Sequence, residues 1–136
     1  MKKYIQYIVF VITIICFQQV SAQTNSFDYM LSSNSLMMQD QHIAINSIIT
    51  KTGNMLIWNQ LSNEAHNSTE FQIMNSSEQW DITTSTGTIS YNLTFDENQG
   101  SFTLENTESG IIATLSITTD SQQKTYTFSI LTINYL

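Results

Sequence analysis

Eleven carboxylates against four lysines and no arginine give this chain of 136 residues a formal charge of −7. Phosphate backbones and anionic lipid surfaces are bound through Lys and Arg, so nucleic-acid binding and electrostatic membrane docking are excluded as expectations. Charged residues make up 11% of the chain, well below the roughly 25% usual for globular domains, and Ser, Thr, Asn and Gln take their place.

The chain opens with Lys2 and Lys3, an apolar run from Ile8 to Phe17 broken only by Thr13, and Val20-Ser21-Ala22 with compact residues at the positions a signal peptidase reads. This pattern predicts a secretory signal peptide over 1–22, cleaved after Ala22. The run is shorter than the roughly 20 residues a transmembrane helix needs, so no retained membrane anchor is expected. Cys16, the only cysteine, lies inside the run. The mature chain is therefore expected to be cysteine-free, more acidic still, and located outside the cytoplasm: extracellular, at the cell surface or periplasmic.

Residues 23–41 read as an N-terminal arm or short helix, because Phe27, Met30, Leu31, Met37 and Met38 approximate helical spacing around a polar Ser32-Ser33-Asn34-Ser35 centre. An antiparallel β domain is expected over 42–136. Its first strands are Ile43 to Thr50 and Met55 to Leu61, joined by a hairpin at Lys51-Thr52-Gly53-Asn54. Asn63 to Thr69 reads as a loop. Shorter strands follow at Phe71 to Asn75 and Gln79 to Thr83.

From Gly87 apolar residues recur at every second position, the period of a half-buried strand. Ile89, Tyr91, Leu93 and Phe95 share one face; Asp96 to Gly100 turns; Phe102 and Leu104 resume. Ile111, Ala113, Leu115 and Ile117 follow, then a turn at Asp120-Ser121-Gln122, then Tyr126, Phe128 and Ile130. At Leu131, Ile133 and Tyr135 the alternation continues at the opposite parity, as a bulge or a change of sheet requires. The whole predicts an all-β fold, an antiparallel β-sandwich of about seven or eight strands, with a small up-and-down β-barrel as the alternative.

Candidate chemistry is sparse. The mature chain offers no cysteine nucleophile, no Gly-rich phosphate loop and no Gly-x-Ser-x-Gly elbow. Asp40 with His42, and Glu64 with His66, each set a carboxylate and an imidazole two residues apart. On strands each pair shares a face, and together the four make a candidate site for a first-row metal. Trp58, Trp80 and Tyr91 are candidate stacking residues for a sugar or other ligand, with a core role as the competing expectation.

The function expected from these features is an exported, noncatalytic binding module without a cofactor, whose partner outside the cytoplasm is a protein or a glycan. The alternative is a structural subunit or assembly accessory of an extracellular fibre, since low charge, abundant Asn and Gln and the absence of proline favour self-assembly through strand edges. A third reading is a metal-dependent enzyme using Asp40, His42, Glu64 and His66.

Overall fold

The computed structural model describes residues 26–136; the expected signal peptide and its cleavage site lie outside the described residues. The described chain is all-β and antiparallel, as expected, with strands β1 Tyr29–Ser33, β2 Leu36–Met38, β3 Gln41–Ile43, β4 Asn46–Thr52, β5 Met55–Leu61, β6 His66–Asp81, β7 Thr86–Phe95, β8 Asn98–Thr107, β9 Gly110–Thr119, β10 Gln122–Ser129 and β11 Thr132–Tyr135. All eleven belong to one sheet, in the order β11-β1-β4-β5-β6-β7-β8-β9-β10-β2-β3. The expected sandwich would need two separate sheets; here there is one.

The ladder is not a closed ring, since β11 and β3 end it. The chain itself, however, joins the two ends. β1 runs into β2 through two residues, and β10 into β11 through two more. Tyr29 pairs with Tyr135 and Ser32 with Thr132, and the same register resumes beyond the break, where Leu36 pairs with Phe128 and Met38 with Tyr126. Two kinked strands are thus paired along their length, and the sheet must curl to allow it.

Burial shows the same curl. Fifteen buried hydrophobic residues, drawn from both ends and the middle of the sheet, form one core cluster. A sheet with one apolar face and no second layer can bury that face only against itself. Trp58 on β5 accordingly packs on Tyr126 and Phe128 of β10, with ring centroids 5.0 and 5.3 Å apart, although four strands separate β5 from β10 in the sheet. Each large core side chain contributes about 1.5–3 kcal/mol through burial.

Local sequence explains the connections. Gln39-Asp40 and Asp120-Ser121 are two-residue hairpin turns with positive φ at both positions (50° and 61°, 48° and 63°). That geometry matches the right-handed twist of the flanking strands. The turn expected over Asp96 to Gly100 is shorter: β7 ends at Phe95 and β8 starts at Asn98. Gly100 lies inside β8, where the Ser116 carbonyl oxygen would stand 2.7 Å from any Cβ. Close strand approach, and not a turn, explains that glycine.

Three expectations need correction. The segment read as an arm or short helix over 23–41 supplies β1 and β2, with Tyr29, Leu31 and Ser33 facing inward. Ser33 takes an inward place in the β1 alternation, Ser35 lies in the break before β2, and inter-strand pairing overrides the loosely helical apolar spacing. The loop expected over Asn63 to Thr69 is shorter, because β6 begins at His66. The two strands expected at Phe71–Asn75 and Gln79–Thr83 merge into that same 16-residue strand, which ends at Asp81 and leaves Ile82 and Thr83 in the turn that follows. By contrast, the parity switch read near Leu131 coincides with the break between β10 and β11.

Candidate functional site

The distinctive local feature of the sheet lies in β6. Its first part pairs with β5, ending at Gln72 with Met55, and its second part pairs with β7, from Gln72 with Thr94 to Asp81 with Thr86. The β6–β7 register slips between Ile73 and Asn75. Met74 is the extra residue, 57% exposed. An extra residue in one strand of a pair reverses the facing of everything after it. Phe71 faces the core before the bulge; Glu78 and Trp80, which would otherwise face outward, turn inward after it.

Glu78 consequently enters the interior, its side chain 4% exposed. Lys51 enters from β4, where Ser47, Ile49 and Lys51 form the inward row. The Lys51 ammonium, 2% exposed, lies 3.8 Å from Glu78 Oε1. It donates to Ser26 Oγ at 2.6 Å, to the Phe27 carbonyl at 2.8 Å and to Asp28 Oδ1 at 3.3 Å. Asp28 Oδ1 also accepts from the Gly53 amide at 2.9 Å. An ammonium carries three protons, so these three acceptors occupy Lys51 completely.

A tyrosine relay completes the cluster. Tyr29 OH donates to Tyr91 OH at 3.2 Å, and Tyr91 OH donates to Glu78 Oε1 at 2.7 Å. Burial pushes both phenols above the ordinary tyrosine range: for Tyr29 the Glu78 charge adds to the rise while its bond to Tyr91 opposes it, and for Tyr91 the neighbouring Tyr29 and Glu78 add further. Glu78 Oε2 is buried and has no hydrogen-bond partner among the described residues. Unpaired buried oxygens are rare because each forfeits its hydration.

These groups line a cleft of about 200 Å³ bordered by Ser26, Gly53, Asn54, Asn75, Glu78 and Tyr91. It opens beside the start of β5, where β6 continues beyond its pairing with Met55. The Ile73 amide donates to the Asn54 carbonyl at 2.7 Å; beyond it, no other backbone bond reaches 74–81 from that side among the described residues. A wider hollow of about 380 Å³ between Asn34, Asn46 and Asn63 has no charged residue in its lining.

The residues singled out in the sequence sit elsewhere or play other parts. Asp40, His42, Glu64 and His66 are all exposed. The structure does not gather them: among the described residues, no three His, Cys, Asp or Glu side chains are grouped to hold a metal ion. Asp40 is in the β2–β3 turn and Glu64 in the β5–β6 connection, so alternation on a strand brings neither to the other's face. Trp58 is a core residue, 4% exposed, its indole N–H donating to Ser47 Oγ at 3.1 Å. Trp80 is half-buried and donates to Tyr135 OH at 2.8 Å. The three aromatics form no shared platform; of them only Tyr91 borders the cleft, through the relay to Glu78.

Lys51 and Glu78 escaped the sequence reading. Lys51 shares parity with Ile49, a usable signal, but the Ile48-Ile49 doublet leaves open which parity faces inward. Glu78 faces inward only because of the bulge. No protein-family model matches the chain, and no curated protein sequence matches it.

Proposed function

We propose that this protein is an exported, noncatalytic binding module whose partner engages the cleft beside the second half of β6. The leader pattern over 1–22 supports export. The observation carrying the binding reading is Glu78: a 4%-exposed carboxylate, turned inward by the Met74 bulge, that lines an open cleft and keeps one oxygen, closed off from solvent, without a partner. Leaving one oxygen of a buried carboxylate unpaired costs stability, and such costs concentrate where a ligand completes the site.

A fibre subunit is the second reading. One observation favours it: residues 74–81 pair on one side only, and an open strand edge of this kind can take a strand from another copy. Two assays on the purified chain separate the readings. Thermal shift against a panel of peptides and glycans is expected to yield stabilising ligands that fail with Glu78→Gln, while sedimentation velocity shows a monomer that persists for a week. Time-dependent polymers binding thioflavin, with no stabilising ligand, would instead favour the fibre.

A further inference from the structure

The cleft's hydrogen-bonding inventory restricts what can complete it. All three Lys51 protons are committed, to Ser26, Phe27 and Asp28. The Tyr29 and Tyr91 hydroxyl protons are committed to the relay. The one unpaired polar atom of the Glu78 carboxylate is an acceptor, Oε2, closed off from solvent in the free chain, so that a donor entering the cleft reaches it by parting the groups that cover it. Two carboxylates, Asp28 and Glu78, stand against one ammonium. A carboxylate or phosphate ligand would meet no spare charged donor and a net negative site. A cationic donor would meet both its acceptor and a complementary charge.

Size and surroundings narrow the class further. About 200 Å³ falls short of the roughly 300–1,000 Å³ of pockets for drug-sized ligands, and suits one side chain better than an oligosaccharide. Directly beside it runs the one-sided strand segment 74–81. Extended peptides add to such edges through backbone hydrogen bonds while alternate side chains drop into adjacent pockets. We infer that the partner is a protein whose extended, lysine-bearing segment adds to the open edge of β6 and places its lysine ammonium on Glu78 Oε2. This rests on the binding-module reading and specifies the partner of the same cleft.

Calorimetric titration of the purified chain tests it, with acetyl-Thr-Val-Lys-Val-Thr-amide, the same peptide carrying norleucine in place of lysine, butylammonium chloride and glucosamine as probes. The lysine peptide is expected to bind about tenfold or more tightly than the norleucine peptide, the worth of one charge-assisted hydrogen bond. Glu78→Gln is expected to abolish that preference while leaving the weaker, edge-borne affinity for both peptides. Residual affinity of Glu78→Gln for both peptides shows that this variant is folded, and Asn63→Ala, in the separate hollow, is expected to retain the preference. Equal binding of the two peptides, or a preference that survives Glu78→Gln, would overturn the ammonium contact. Butylammonium or glucosamine binding as tightly as the lysine peptide would overturn the edge pairing. If the lysine peptide fails but a ligand from the wider panel stabilises the chain through Glu78, this inference falls and the binding module stands; if nothing binds at the cleft, both fall.

Discussion

Replacing Lys51 with methionine removes the cation that makes the buried cluster tenable. The substitution keeps the length of the side chain, so packing changes little, but it strips donors from Ser26 Oγ, the Phe27 carbonyl and Asp28 Oδ1. It also leaves the Glu78 carboxylate, 4% exposed, without its neighbouring charge. Breaking a buried pair from one side costs roughly 3–5 kcal/mol. Asp28 is 37% exposed, and its share is about 1 kcal/mol or less because water screens it. The expected loss is therefore about 3–4 kcal/mol, carried mainly by Glu78. With a urea slope of about 1–3 kcal/mol per molar, the midpoint should fall by roughly 1–4 M. The double variant Lys51→Met with Glu78→Gln removes the stranded charge while an amide oxygen still accepts from Tyr91. It should recover to within about 2 kcal/mol of the parent, a strongly non-additive cycle. A Lys51→Met loss below about 1 kcal/mol, or a double variant as unstable as the sum of the singles, would refute a buried, mutually dependent pair.

Three further outcomes follow from the same geometry. Because burial raises both Tyr29 and Tyr91 above the ordinary value of 10.0, the unfolded chain releases these protons first. Stability should be fully present below pH 10 and fall as pH rises above it, by up to about 2.7 kcal/mol per pH unit for two protons; Tyr91→Phe should reduce the slope to about 1.4, and an unchanged slope would dismiss the relay. Gly87→Ala places a Cβ 2.0 Å from the Gln79 carbonyl oxygen at φ +124°. Thermal melting should show a loss of about 3 kcal/mol or more, and a near-parental Tm would contradict the close strand approach. Deleting Met74 removes the extra residue and lets Asn75 follow Ile73 in regular alternation, so 75–81 keep their partners on β7 and Glu78 and Trp80 stay inward. Tryptophan emission and the lysine-peptide preference should both stay parental; a red shift, or loss of the preference, would contradict Met74 as the extra residue of the bulge.

Much of the fold is legible from alternation alone. β5 spans Met55–Leu61, as the apolar Met-Leu-Ile-Trp run indicates, and the four strands after Gly87 follow the spacing of Ile89, Phe102, Leu115 and Phe128. Trp58 and Tyr91 share parity with Leu56 and Ile89, which already places them among the core residues. The single sheet is harder to foresee. The change of parity near Leu131 marks a strand leaving one neighbour for another, but it serves a kinked strand of one curled sheet as well as a strand crossing between two. The site is least legible, because it depends on one residue. Without the bulge at Met74, the alternation Phe71-Ile73-Asn75 assigns Glu78 to solvent, where glutamates ordinarily belong. A register slip leaves little mark in composition, and its consequence appears only when β6 is paired with both β5 and β7.

The most direct measurement of whether the cleft is the binding site is a map of backbone amide chemical shifts during titration with the lysine peptide. The largest saturable changes should fall on Gly53, Asn54 and residues 75–78, with the hollow around Asn34, Asn46 and Asn63 unmoved. Largest changes in that hollow, or none at the β6 edge at saturating peptide, would contradict a binding site built on Glu78.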